Sequence, residues 1–170
     1  AGHDHAGRLV GAFRDRRATV AIVGLGYVGL PLACEFARAG LQVIGIDVDA
    51  ARVEGVRRGR SHVQDVPDAE LRPLLDAGRL DATTDFGALE RADAVVICVP
   101  TPLRKSKEPD ISFILAAVEN LMPWVHAGQL VVLESTTYPG TTEEVLQPHL
   151  EARGLTIGRD VFVAFSPERV

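Results

Sequence analysis

The strongest constraint on this chain lies between residues 19 and 47. A continuous apolar run, Val20-Ala21-Ile22-Val23, leads directly into Gly24-Leu25-Gly26-Tyr27-Val28-Gly29, and a segment of helical character follows to Arg38. An unbroken apolar run of this kind reads as a strand covered on both faces. The spacing G-x-G-x-x-G is weak by itself, and gains weight where it follows such a strand and opens a helix. Gly24 permits a tight turn, Gly26 lets the backbone approach a pyrophosphate, and Gly29 lets helix and strand pack closely. The N–H groups and positive dipole end at the helix start suit an anion. Asp47 closes a second strand, 42–47, and stands 18 residues after Gly29. An acidic residue at roughly 20 residues bonds the adenosine ribose hydroxyls in such units, and repels a 2′-phosphate. The spacing therefore predicts NAD over NADP. Arg52 is the countervailing residue, placed to hold a phosphate or to stack on adenine. The bland alternative is that the glycines form only a turn and Asp47 only a cap; flavin or S-adenosylmethionine on a similar unit is a further one.

The rest of the chain repeats the strand–helix alternation. A short amphipathic helix is expected over 6–17, with Leu9, Val10 and Phe13 on one side. After the glycines, Pro31 sits in the first helical turn, Ala33, Phe36 and Ala37 face inward, and Gly40 ends the helix. Asp49 caps a helix to Arg58. A helix over 65–77 holds Leu71, Leu74 and Leu75 inside, with Pro73 expected to kink or break it. Thr83 and Thr84 belong to a short strand, and 94–99 is a second all-apolar one. Asp110 caps a helix whose Ile111, Ile114, Leu115, Val118, Leu121 and Met122 recur at helical spacing. Residues 130–134 form a strand, Thr141 and Glu144 a capping box, Pro148 a disturbance midway along that helix, and 161–165 a last strand. This order predicts an α/β fold: a doubly wound, mainly parallel Rossmann sheet with helices on both faces. Residues 1–18 form a tail and short helix, and 19–170 one domain.

Composition narrows the function classes. With 46% hydrophobic and 24% charged residues, the 170-residue chain is globular. A net charge of −5 argues against nucleic acid or an anionic membrane surface as partner. No apolar run approaches the roughly 18 residues of a membrane span, and no basic segment followed by an apolar stretch opens the chain. Two cysteines, Cys34 and Cys98, give no disulfide framework, so a cytoplasmic setting is expected and both thiols read as core residues. No metal site is expected: His3 and His5 lack Cys or carboxylate partners at ligand spacing. His62, His126 and His149 have no partner legible in the sequence.

Ligands of doubly wound sheets sit beyond the carboxyl ends of the strands. Three loops there carry polar groups: Pro100-Thr101-Pro102-Leu103, Ser135-Thr136-Thr137-Tyr138-Pro139-Gly140-Thr141 and Ser166-Pro167-Glu168-Arg169. Each has a plain reading as a cap or turn; together they should converge on one cleft.

These motifs, Gly24 to Leu32, Val99 to Pro102, Glu134 to Thr141 and Ser166 to Arg169, resemble the N-terminal half of the UDP-glucose/GDP-mannose dehydrogenase family. The resemblance is greatest to the branch that oxidises UDP-N-acetylglucosamine or UDP-N-acetylmannosamine. It implies an NAD-dependent, four-electron oxidation of C6 of a nucleotide sugar from alcohol to carboxylate, in two hydride transfers. In that family a cysteine captures the intermediate aldehyde, and water cleaves the resulting thioester. Carried over, the cofactor-binding residues are Gly24, Gly26, Tyr27, Val28, Gly29, Asp47, Arg52, Val99, Thr101, Ser135 and Thr136. Thr136 and Glu168 would also position or activate the hydrolytic water. The catalytic cysteine, the central dimerisation helix and the C-terminal sugar-nucleotide domain have no counterpart in these residues. The chain thus reads as a truncated cofactor domain, able to bind NAD and inactive alone, from a full-length homo-oligomer. The competing expectations are a stand-alone NAD-binding module, and the cofactor domain of a 3-hydroxyacid or 6-phosphogluconate-type dehydrogenase, which does not predict the Tyr138-Pro139-Gly140-Thr141 loop.

Overall fold

The apolar runs of the sequence become the middle of a sheet. The computed structural model describes residues 4–135 and 140–167; Thr136, Glu168 and His3 lie outside the described residues. The strands are β1 (Thr19–Val23), β2 (Gln42–Ile46), β3 (Leu80–Thr83), β4 (Ala94–Ile97), β5 (Leu130–Glu134) and β6 (Phe162–Ser166). They lie in the order β3-β2-β1-β4-β5-β6, and each pairing between these six strands is parallel. The chain starts in the centre, builds outward to β3, then returns to pair β4 with β1. That reversal opens a crevice at the carboxyl ends of β1 and β4, where such sheets hold ligands.

Helices cover both faces. On one, α1 (His5–Arg14), α2 (Gly29–Arg38), α3 (Ala50–Arg57) and α4 (Asp68–Asp76) pack against a cluster that includes Val20, Ile22, Val43, Ala33, Val53 and Leu71. On the other, α5 (Ser112–Leu121) and α6 (Gln147–Ala152) cover Ala21, Val23, Val95, Ile97, Ile114 and Leu150. Alternate residues of one strand thus enter opposite cores, which is why β1 and β4 read as unbroken apolar runs. Each fully buried Ile or Leu removed from water contributes about 1.5–3 kcal/mol. At the opposite end of the sheet, Arg8 of α1 donates to Asp93 Oδ1 (2.9 Å) and to the Gly128 carbonyl (2.7 Å), and Asp93 Oδ2 accepts from Thr19 N (2.9 Å). This polar knot ties the first helix to the starts of β1, β4 and β5.

Several local expectations need correction. Val10 is 56% exposed, and Ala12 takes its place beside Leu9 on the inward face of α1. On α5, Leu115 is 39% exposed and Ala117 is buried, so the inward face runs Ile114, Ala117, Val118, Leu121. Helix α4 continues past Pro73 to Asp76. The proline forfeits one backbone bond, while the buried Leu71 and the part-buried Leu74 and Leu75 hold the turn to the core. Ile111, rather than Asp110, occupies the cap of α5, although Asp110 Oδ1 does accept from Ser112 N (3.0 Å). The capping box at Thr141 does not form: Thr141 is already helical at φ −56°, ψ −40°, and its side chain makes no cap bond. Gly140, at φ +92°, turns the chain one residue earlier, and its carbonyl receives Glu144 N at 2.8 Å. The disturbance at Pro148 takes the form of a wider π-helical turn over Thr142–Leu146 that runs into α6. Pro148 has no N–H to give to an i−4 carbonyl.

Candidate cofactor site

The three glycines of the loop do three different things. Gly24 has φ +98°, and a Cβ there would stand 2.7 Å from the Cys98 carbonyl oxygen. It lets β1 turn against the end of β4. A Cβ at Gly29 would lie 1.7 Å from the Gly24 carbonyl oxygen, so helix α2 can start this close to the strand only without a side chain. A Cβ at Gly26 would meet no atom within 4 Å. No protein packing requires glycine there; the bare backbone leaves room for something else. Among the described residues, the amide groups of Gly26, Tyr27 and Val28 meet no acceptor, and Val28 opens α2 without a side-chain cap. Unpaired N–H groups at a helix start, in a loop stripped of side chains, form a cradle for an anion.

Asp47 stands directly after β2, 6% exposed. Its Oδ2 accepts from Leu25 N (2.8 Å) and its Oδ1 from Asp49 N (2.9 Å). Each carboxylate oxygen keeps a lone pair for a further donor, which fits a pair of ribose hydroxyls. Asp49 caps α3 through bonds from Ala51 N (2.9 Å) and Arg52 N (3.2 Å). Arg52 places its guanidinium 3.7 Å from Asp47 and 3.6 Å from Asp49. Flanked by two carboxylates, it is a poor receptor for the extra phosphate of NADP.

From the second half of the sheet, Cys98 and Val99 follow β4 against the glycine loop, and Thr101 lies two residues further on. Ser135, 2% exposed, donates to the Val99 carbonyl at 3.3 Å and so joins the ends of β4 and β5. Tyr27 is 69% exposed on the rim of the loop. The structure thus brings the glycine loop, Asp47, Arg52, Val99 and Ser135 to one edge of the sheet; Thr136 and Glu168 lie outside the described residues. A separate cavity of about 270 Å³, bordered by Arg57, Asp81, Asp85 and Arg91, lies beside edge strand β3 and includes none of these site residues.

Sequence reasoning missed two supports of the loop. Leu25 is fully buried over β2, and a Cβ at Gly45 would stand 2.8 Å from its Cδ2. The signal was a glycine inside an apolar strand, which often marks a close approach. The second is His62, whose Nε2 lies 2.5 Å from the Leu25 carbonyl oxygen. His126 and His149 likewise bond backbone carbonyls, of Glu90 (3.1 Å) and Val145 (2.7 Å). Both cysteines are buried, and burial pushes the Cys34 thiol above its ordinary range against the opposing pull of Arg38. Beside the β4 loop, the Ser112 amide, followed by Arg104, holds the Asp110 carboxyl below its usual value. Among the described residues no cluster of three or more His, Cys, Asp or Glu side chains could hold a metal, and no helix is long and apolar enough to cross a membrane.

Sheet order, an open glycine loop and a buried carboxylate at the end of β2 together define a dinucleotide-binding Rossmann domain. The chain belongs to the UDP-glucose/GDP-mannose dehydrogenase family, whose NAD binding domain matches residues 18–170. Its relatives include the UDP-N-acetyl-D-glucosamine 6-dehydrogenase of Pseudomonas aeruginosa, 40% identical over 152 residues, covering 89% of this chain and 35% of that protein. The UDP-N-acetyl-D-mannosamine dehydrogenase of Yersinia pestis is 40% identical over 161 residues, covering 89% and 37% respectively. Among solved structures, the UDP-D-ManNAc dehydrogenase of Pyrococcus horikoshii superposes with a TM-score of 0.83 at 36% identity, over 89% of this chain and 36% of that one. The chain therefore spans about a third of the length of the relatives it matches. The residues present fit NAD: an open loop for the pyrophosphate, a buried carboxylate for the ribose, and an arginine already engaged by acid.

Proposed function

We propose that this chain is the cofactor-holding part of a nucleotide-sugar 6-dehydrogenase that oxidises C6 of a UDP-sugar, UDP-N-acetylglucosamine or UDP-N-acetylmannosamine, to the carboxylate with two NAD. The observation that carries this reading is the pairing of the open Gly26 backbone with the buried Asp47 carboxylate on a chain of this family. The free amides of Gly26, Tyr27 and Val28 hold the pyrophosphate. Asp47 orients the adenosine ribose and excludes a 2′-phosphate by like charge. Val99, Thr101 and Ser135 border the far end of the crevice. NAD, when bound, supplies the hydride acceptor. Thr136 and Glu168 position and deprotonate the water of the hydrolytic step, a task for which a carboxylate is suited. The sugar's recognition and the cysteine that captures the aldehyde belong to parts of the enzyme other than residues 1–170, so this chain alone is inactive. The full-length enzyme acts as a homo-oligomer in the cytoplasm.

The test is turnover by the full-length protein with NAD and each of the two UDP-sugars. Two NADH per sugar oxidised is the expected result, with none from the 170-residue chain alone. No NADH from either sugar would sink the substrate assignment, and turnover by the chain alone would sink the division of labour.

A further inference from the structure

We propose that His62 is a positioning residue of the dinucleotide site, holding the Leu25–Gly26 peptide so that the Gly26 amide faces the cofactor's diphosphate. The proposal rests on the NAD reading above. His62 lies between α3 and α4, outside the glycine motif, and its Nε2 reaches the Leu25 carbonyl oxygen at 2.5 Å. A carbonyl accepts, so Nε2 carries the proton. In a planar trans peptide the carbonyl of one residue and the N–H of the next point in opposite directions, and no described peptide here is cis. Fixing the Leu25 carbonyl from the His62 side therefore aims the Gly26 N–H the other way.

Two neighbouring peptides of the loop are thus held by two different elements. The Gly24–Leu25 peptide is held by its N–H on Asp47 Oδ2, at the end of β2. The Leu25–Gly26 peptide is held by its carbonyl on His62. The second needs a clamp more than the first. Gly26 has no side chain and no atom within 4 Å of where one would be, so packing does not fix its orientation. His62 itself is mounted on a braced segment. Ser61 N donates to Asp68 Oδ1 (2.7 Å), Ser61 Oγ donates to the Val63 carbonyl (2.9 Å), and Val63 and Val66 are buried on either side of Gln64 and Asp65. The imidazole is held against the loop by backbone that does not belong to the site.

The experiment is NMR titration of the 170-residue chain with NAD and with adenosine, for the wild type, His62→Gln and His62→Met. Gln offers an amide N–H at the reach of Nε2; Met has similar length and no donor. Losing one hydrogen bond to the loop should weaken NAD about fivefold in His62→Met, with His62→Gln within about twofold of wild type. Adenosine, which lacks the diphosphate, should bind all three alike. In the ligand-free chain the Gly26 amide signal should move in His62→Met and stay in place in His62→Gln. Equal NAD affinity in all three, a Gln variant as weak as Met, or an equal loss for adenosine would overturn the proposal. Failure of the wild type to bind NAD would defeat the functional reading instead, and the Gly26 signal would still decide whether His62 orients the peptide.

Discussion

Strand β4 buries all four of its residues, whereas β6, four apolar residues and a serine, leaves Ala164 and Phe165 exposed and none of its five buried. Strand β5, between them, alternates between buried and half-buried positions. The sheet is therefore finished around β1, β2 and β4, where helices lie on both faces, and open toward β6. The half that carries the glycine loop completes its own core. It holds the glycine loop and Asp47 on backbone that borders that core. The half toward β6 has one packed face and one thinly covered one. Burial is concentrated around the glycine loop and Asp47, and thins toward β6.

The largest expected effect is at the tightest contact of the closed half. Gly29→Ala would force α2 away from the Gly24 carbonyl, 1.7 Å from the new methyl, and should cost at least about 3 kcal/mol in denaturant unfolding. A loss below about 1 kcal/mol would mean that the loop yields easily, and the contrast between the halves would fail. Next in size is a matched pair of core truncations. Ile22→Ala, at a fully buried position of β1, should cost about 3 kcal/mol. Phe165→Ala, 44% exposed on β6, should cost less than about 1 kcal/mol despite the larger side chain. Equal losses would show that β6 is as well covered as β1.

The glycine motif itself sharpens the comparison further. Gly26→Ala should leave unfolding stability within about 0.5 kcal/mol, because the added methyl meets nothing. It should weaken NAD by about tenfold or more, the methyl standing where the pyrophosphate approaches. A Gly26→Ala variant that binds NAD normally would remove the cradle from the account.

How much of this was legible in the sequence divides along the same line. Strands β1 and β5 and the cap Asp49 could be read to within a residue, because local pattern decides them: an apolar run or an acidic residue before a helix. The turn at Gly24 and the close helix packing at Gly29 were also legible, since each follows from what a missing Cβ permits. The run at 161–165 looked the same as the run at 94–99, yet its strand is exposed. Composition shows that a segment can be buried, and says nothing of whether another element arrives to cover it. Val10 and Leu115 fall to the same limit. His62 was opaque for a different reason. Its partner is a backbone carbonyl 37 residues away, and a carbonyl has no residue type to recognise. The turn at Thr142–Leu146 escaped because a glycine one position earlier outcompeted the threonine for the cap.

The central claim, that the Gly26 cradle and the Asp47 carboxylate form an NAD site, is tested most directly by calorimetry of this chain with NAD and with NADP. Asp47 is buried and turned toward the loop, and Arg52 is flanked by acid, so NAD should bind at least about tenfold more tightly than NADP. NADP binding as tightly as NAD, or more so, would contradict the account.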